Sequence, residues 1–333
     1  MPPIRCLVTG CAGFVGSHLC EKLLALGASV VGVDNFFSGH RRNMASFAEH
    51  PEFRFYETCI TRTSELADIL ASHAPVGICF HLAAVVSVAW SMEHPDRTME
   101  VNYQASERLH AVCREKGLGA FVFAGSAAEY GETGLAAIKE EAATSGTVQA
   151  SPYGRAKFLT SRLVERGGFG ASLRCFNIYG PRQDPGSPYS GVISRFCLQA
   201  LALEPVTIFG DGGQTRDFIQ VADVVDAYLL AAGLAGPHTT PLRGVFNVGR
   251  GEALSILELA GIVAAVAGGP GEPRFLPPRL GDIRHSLADV SKLAAATGFR
   301  PAVGIKDGLE KTVEWMRSEA AAQGREGRSG AAE

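Results

Sequence analysis

The chain has 333 residues, 46% of them hydrophobic, and a formal net charge of −3. That is enough apolar material for a large core, in one big domain or in one domain with a smaller companion. No block of like charge points to nucleic acid or a membrane surface. The most apolar helical runs are broken by Asp223, Asp226 and Glu258, short of the roughly 18 uninterrupted apolar residues of a membrane span.

The start, Met1-Pro2-Pro3-Ile4, runs straight into a strand pattern without the apolar region of a signal peptide. Ile4 to Val8 predicts a buried strand, Gly13 to Leu26 a helix, and Ser29 to Val33 a second strand. Phe53 to Glu57 predicts the third strand, with a helix near Ser64 to Ser72. Gly77 to Leu82 follows as the fourth strand, then a long helix from about Pro95 to Glu115. Ala120 to Ala124 is the fifth strand, and a polar loop leads to a helix from Tyr153. Ala171 to Phe176 is the sixth. Strands separated by helices imply parallel pairing with right-handed crossovers, hence an α/β, doubly wound parallel sheet. After Gly180 prolines punctuate shorter elements. We therefore expect residues 1–180 to form a cofactor-binding domain and 181–317 a smaller mixed α/β lobe. Segments such as Gly244 to Val248 are candidates to return to the main sheet. The stretch 318–333, rich in Ala, Gly, Arg and Glu, predicts a frayed or disordered tail.

The eight cysteines, at 6, 11, 20, 59, 79, 113, 175 and 197, form no Cys-x-x-Cys and pair with no His at zinc spacing, so no metal site is predicted. Most lie in apolar patterns, as buried thiols of a reducing, cytoplasmic compartment would.

Two stretches carry chemistry. Gly10-Cys11-Ala12-Gly13-Phe14-Val15-Gly16 joins the first strand to the first helix. Glycines there permit a tight turn and let a pyrophosphate approach the backbone at a helix N-terminus. The second strand ends in Asp34, whose carboxylate suits both ribose hydroxyls and repels a 2′-phosphate, so NAD is expected over NADP, although Arg41 and Arg42 lie close by. The second stretch is Ser151-Pro152-Tyr153-Gly154-Arg155-Ala156-Lys157. Pro152 suits a helix start, which puts Tyr153 and Lys157 on one helical face. An ammonium there is expected to lower the phenol pKa toward a useful base strength.

These residues, with Val33-Asp34-Asn35-Phe36-Phe37-Ser38-Gly39, His81-Leu82-Ala83-Ala84, Val101-Asn102 and Gly125 through Gly131, match a known family. So do Arg174 through Arg182, Gly210 through Phe218, and Arg279-Leu280-Gly281-Asp282. The chain resembles the extended short-chain dehydrogenase/reductases, and within them the nucleotide-sugar 4-epimerases (UDP-glucose and UDP-N-acetylglucosamine 4-epimerase type), with their Rossmann-type domain. The match runs from Leu7 to about Trp315.

The resemblance implies catalytic roles for Ser126, Tyr153 and Lys157. Tyr153 would take the sugar O4 proton as the C4 hydride passes to NAD. Lys157 would bind the nicotinamide ribose and Ser126 would relay the proton. It implies that NAD is held by Gly10, Gly13, Phe14, Val15, Gly16, Asp34, Asn35, Ser38 and Gly39. Cys59, Ile60, Leu82, Ala83, Ala84, Asn102, Tyr153, Lys157 and Phe176 would complete that site. Cys59 stands where the family usually has an Asp toward the adenine, and a thiol accepts only weakly. The UDP-sugar would contact Ser87, Ser126, Tyr153, Asn177 and Val192, with the uracil near Val206 to Phe209, including Thr207 and Phe209. Arg216 and Arg279 would hold the pyrophosphate and Asp282 the uridine ribose. His81 reads as a structural strand-end residue near the cofactor pyrophosphate. Ala127 and Ala128 replace the acid pair of the related 4,6-dehydratases, and Glu129 is out of register for that role. By resemblance Ser286 packs against the sugar C2 substituent. A small residue there leaves room for N-acetyl, so UDP-GlcNAc/UDP-GalNAc is expected, with UDP-Glc/UDP-Gal possible as well. Other NAD-dependent nucleotide-sugar enzymes on this fold (a uronate epimerase, a reductase, a dehydrogenase) and a non-catalytic scaffold are the alternatives. A homodimer is implied, through the helices near Pro95–Glu115 and Tyr153–Glu165.

Overall fold

The computed structural model describes residues 4–329 apart from 135, 187–190, 238 and 279–282. The chain enters through β1 (Arg5–Thr9), α1 (Phe14–Ala25), β2 (Ser29–Asp34), β3 (Phe53–Glu57), α2 (Thr63–Ser72), β4 (Ile78–His81) and α3 (Val88–Glu93). The long helix predicted over 95–115 is built of α4 (Pro95–Met99), a π-helical stretch Glu100–Ala105 and α5 (Ser106–Glu115). Then come β5 (Ala120–Ser126), α6 (Pro152–Gly167) and β6 (Gly170–Cys175). The predicted strands are in place, with ends shifted by one or two residues.

One step past β6 the chain enters β7 (Asn177–Tyr179), then α7 (Val192–Leu201), β8 (Thr207–Phe209), β9 (Thr215–Gln220) and α8 (Val221–Ala231). The remainder is β10 (Gly244–Val248), β11 (Ala253–Ser255), α9 (Ile256–Ala267), β12 (Arg274–Leu276), β13 (His285–Ser286), α10 (Ser291–Thr297) and α11 (Ile305–Ser329). The main sheet has seven strands in the order β10-β6-β5-β4-β1-β2-β3, and each of its pairings is parallel. Gly244 to Val248 does return to it, beside β6. The order reverses direction between β1 and β4, where ligands bind at the carboxyl edge of such sheets.

Every residue of β2 and β6 is buried, as expected of a parallel sheet covered on both faces. Alternation along β1 feeds the two covering layers. Cys6 and Val8 pack with Leu19, Leu23 of α1 and Val224, Tyr228 of α8. Leu7 packs with Leu66, Ile69 of α2 and Leu109 of α5. A third cluster joins α7, α9 and α11 around Phe196, Leu259 and Val313, over the small sheets β11-β9-β13, with β7 also on β9, and β12-β8.

The cysteines are free thiols, all but Cys59 buried. Burial pushes Cys6, Cys175 and Cys197 up to about 12, so thiolate chemistry is suppressed. Residues 318–329 continue α11. Ala, Glu, Gln and Arg there are good helix formers, and the fixed turns of α11 before them remove the cost of nucleation.

Candidate active site

The carboxyl ends of β1, β2, β4 and β5 bring the predicted cofactor residues together. Gly10 has φ +75° and a Cβ on it would lie 2.8 Å from the Ala83 nitrogen. A Cβ on Gly16 would lie 2.0 Å from the Gly10 carbonyl oxygen. The turn is thus closed to side chains and open to a ligand at the start of α1, whose N-cap Gly13 offers no capping side chain. Its first-turn N–H groups are therefore left for an anion. Phe14 and Val15 are half-buried at this turn.

Asp34 ends β2, and its carboxylate accepts from the N–H groups of Ala12 at 3.0 Å and Phe36 at 2.8 Å. The Ala12 carbonyl in turn accepts from His40 N–H at 3.0 Å and Asn43 Nδ2 at 2.8 Å. Asn43, buried and absent from the sequence reading, thus ties the glycine turn to the loop that carries Asn35, Ser38 and Gly39. Arg41 is paired with Glu57 and Arg42 with Glu319. Both cations near Asp34 are thus engaged by other carboxylates. A cradle of this shape and charge fits NAD.

The other cofactor candidates divide. His81 is fully buried between Thr9 Oγ1 (2.7 Å) and Ser106 Oγ (2.8 Å), and burial lowers it to about 3. It is structural, and through Thr9 Oγ1, which accepts from Ala83 N–H at 3.2 Å, it fixes the Leu82–Ala84 turn. The Asn102 amide makes both its bonds to Val85, donating to the carbonyl and accepting from the N–H, each at 2.8 Å. Its side chain therefore braces the loop behind the crevice. Ile60 and Phe176 are core residues, and Cys59 accepts from Thr61 Oγ1 at 3.1 Å.

The catalytic candidates converge from β5 and α6. Ser151 caps α6, its Oγ accepting from Gly154 N–H at 3.1 Å, and Pro152 opens the helix. Tyr153 is half-buried, and its phenol lies near Ser126, whose hydroxyl favours the ionised form. Lys157, one turn on and buried, donates to the Ala124 carbonyl at 2.7 Å and stands 5.8 Å from the Tyr153 ring centre. The expected direction of the phenol shift is corrected. Burial pushes Tyr153 up to about 12, against the Ser126 hydrogen bond and with help from Glu129 and Cys175. Burial likewise lowers Lys157 to about 8, opposed by Glu129 and Cys175. Desolvation, invisible in a helical spacing, is the largest cause of both shifts.

On the opposite side, β9 gathers the predicted sugar-nucleotide residues. Asn177 on β7 is in register with Phe218, and Ser286 on β13 with Arg216 itself. Asn177 Nδ2 donates to the Asp217 carbonyl at 3.2 Å and Arg216 Nη1 to the Thr215 carbonyl at 2.9 Å. The buried Asp217 carboxylate, which sequence reasoning passed over, accepts from the N–H groups of Arg250, Gly251 and Ala288 at 2.7, 3.0 and 3.2 Å. It pins two loops to the strand carrying Arg216. Ser87 caps α3, accepting from Trp90 N–H at 2.9 Å. Val192 opens α7, and Thr207 and Phe209 lie on β8. Arg279 and Asp282 lie outside the described residues. Among the described residues no His/Cys/Asp/Glu cluster could hold a metal, and no helix is long and apolar enough to cross a membrane.

The chain is 37% identical over 321 residues to a UDP-glucose 4-epimerase of Mycolicibacterium smegmatis, spanning 95% of this chain and 99% of that one. It is similar to the solved structure of the UDP-N-acetylglucosamine 4-epimerase from Methanobrevibacter ruminantium in complex with UDP-N-acetylmuramic acid. That likeness has a TM-score of 0.87 and 32% identity over 96% of this chain and 100% of that one. A UDP-glucose 4-epimerase from Thermus thermophilus, solved in complex with NAD, matches with a TM-score of 0.82 and 34% identity, over 94% and 99%. The family model described as NAD dependent epimerase/dehydratase family matches residues 6–249. That span runs through every strand of the main sheet, and the chain belongs to this family of NAD-dependent enzymes.

Proposed function

We propose that the protein interconverts UDP-hexoses at C4 through a transient 4-keto sugar, with UDP-GlcNAc/UDP-GalNAc preferred and UDP-Glc/UDP-Gal also accepted. The observation that carries the reading is the convergence of Ser126, at the carboxyl end of β5, with Tyr153 and the buried Lys157 of α6, whose ammonium donates to the Ala124 carbonyl on the same strand. NAD, when bound, supplies the reversible oxidation at C4. It would be held by the Gly10–Gly16 turn and Asp34. Tyr153 takes the O4 proton and later returns it. Ser126 holds O4 and passes the proton across, and the Lys157 ammonium steadies the phenolate. The net change is isomerisation, so no added reductant is consumed. Arg216 and Asn177 face the substrate side, with the segments after residue 180 as the UDP-sugar lobe.

The choice of sugar rests on Ser286. It is half-buried beside Arg216 on paired strands, and its small side chain leaves space for a C2 substituent. Dehydration is disfavoured, because Ala127 and Ala128 carry no acid and Glu129 is engaged by Arg174. We also propose a cytoplasmic homodimer formed through α4–α5 and α6. The test is to incubate the purified protein with UDP-GlcNAc, UDP-Glc and UDP-GlcA separately, without added cofactor, and resolve the C4 epimers. Epimerised UDP-GlcNAc is expected. Turnover of UDP-GlcA alone, or net accumulation of NADH, would overturn the reading.

A further inference from the structure

Glu129 is fully buried, where an unpaired carboxylate is costly, and no step of the proposed reaction uses it. It lies in the tight turn Ala127–Tyr130 that follows β5 and closes a reciprocal cap there. Its Oε1 accepts from the Ser126 backbone N–H at 2.9 Å, while Ser126 Oγ accepts from Ala128 N–H at 3.2 Å. Its Oε2 accepts from Arg174 Nε at 2.6 Å. Arg174, 1% exposed, stands on β6 opposite Gly125. Its Nη1 donates to the Tyr130 hydroxyl at 3.2 Å and the Glu140 carbonyl at 2.8 Å. Room for the carboxylate comes from Gly125, where a Cβ would stand 2.9 Å from Glu129 Oε1 and 2.7 Å from Ser172 Oγ. A bare residue at 125, an acid at 129 and a base at 174 therefore form one fitted unit directly behind Ser126.

We infer that the Glu129–Arg174 pair positions Ser126 beside Tyr153 and sets the field around Tyr153 and Lys157, an inference that rests on the epimerase reading above. The Tyr153 hydroxyl is faced by Ser126 and Glu129 from the β5 side, Cys175 from β6, Tyr228 from α8 and Lys157 from its own helix. Of these Glu129 alone carries a carboxylate, and it raises both Tyr153 and Lys157. Removing it lowers both. Removing Arg174 instead leaves the carboxylate without its counter-ion and raises both.

The test compares Glu129→Gln, Arg174→Met and Glu129→Asp in the NAD-loaded protein. The rising limb of the pH profile for kcat is expected to move down by on the order of one pH unit in Glu129→Gln and up in Arg174→Met. Glu129→Asp keeps the charge and shortens the reach. It should keep the midpoint and lose roughly tenfold to a hundredfold in kcat, as a displaced Ser126 would. The phenol is also titrated by ultraviolet difference against Tyr153→Phe, without sugar. If no UDP-sugar is turned over, the functional reading fails while this titration still decides the role of Glu129. Midpoints that stay fixed in both charge variants reduce the pair to an ordinary buried ion pair. If Glu129→Gln does not fold, an unchanged kcat in Glu129→Asp overturns the inference.

Discussion

Replacing Lys157 by Met tests the electrostatics of the base directly. The ammonium stands 5.8 Å from the Tyr153 ring centre, and at an effective dielectric of about 20 that separation is worth about 3 kcal/mol to a phenolate. In pKa terms this is about two units. Burial pushes the phenol up to about 12 and Lys157 down to about 8; an interaction of about two units between them makes their titrations those of a pair, whose first proton leaves near the lower value. The reactive form, phenolate beside ammonium, has the same proton count as neutral phenol beside neutral amine. Its population therefore rises along that same first limb and not along a limb at 12. Wild-type activity should climb with a midpoint set by the pair. In Lys157→Met only the phenol remains, its limb moves up, and activity near neutral pH falls about a hundredfold or more. Methionine is nearly the same length, so packing against Phe123, which Nζ approaches to 4.7 Å, is largely kept. The assay is kcat/KM against pH at saturating NAD. An unchanged midpoint in Lys157→Met would refute the reasoning.

Tyr153→Phe removes the proton acceptor while keeping the ring, so epimerisation should fall by about 10²–10⁴ with NAD and UDP-sugar binding retained by calorimetry. Ser286→Tyr should abolish turnover of the N-acetyl sugar and spare the plain hexose; equal loss on both sinks the pocket argument. Asp217→Asn takes the ionised acceptor from all three backbone N–H donors and turns an amide NH2 toward at least one of them. It should cost about 1–3 kcal/mol of stability and raise KM for the UDP-sugar more than it lowers kcat. His110, buried with Nε2 unpartnered, is lowered by burial from 6.5 to about 4. It is uncharged in the fold and takes up a proton on unfolding, so its contribution is full above about 6.5 and is lost as pH falls toward 4, at about 1.4 kcal/mol per unit. His110→Phe should flatten denaturation midpoints across that window by this amount, the carboxylates being common to both proteins.

What could be read in advance was local. The Gly10–Gly16 turn, Asp34 at a strand end and the Tyr153–Lys157 spacing each owe their geometry to a few consecutive residues. The strands of the main sheet are buried on both faces, so they show as continuous apolar runs. What was missed is held by contacts between distant residues. Asn43 reaches Ala12 across 31 positions, and Arg174 reaches Glu129 across 45. Nothing in either neighbourhood marks such a partner. Asn102 was legible as a site residue but not as a brace, because its partner Val85 lies 17 residues away. The sign at Tyr153 depends on depth, which a helical spacing does not contain.

The two sides of the crevice are joined in different ways. Cys175 ends β6 opposite Ser126, and with Phe176 between them Asn177 already begins β7 on the sugar-nucleotide side. The step from β6 to β9 is thus fixed by two peptide bonds and by the pairing of β7 with β9. The cofactor side meets the later segments through polar contacts. His40 Nε2 meets Asp184 Oδ2 at 3.1 Å, His18 Nε2 meets the Pro181 carbonyl at 2.9 Å, and Arg182 Nη2 donates to Glu21 at 2.9 Å. Partly exposed pairs of this kind contribute about 0–1 kcal/mol each, far less than covalent continuity. Ser126 on β5 and Arg216 on β9 are therefore linked through paired and directly connected strands, whereas the loop bearing Ser38 and Gly39 is placed against residues 181–184 by a seam of weak contacts. That division suits the proposed reaction, which demands a fixed distance between Ser126 and the sugar-binding strand.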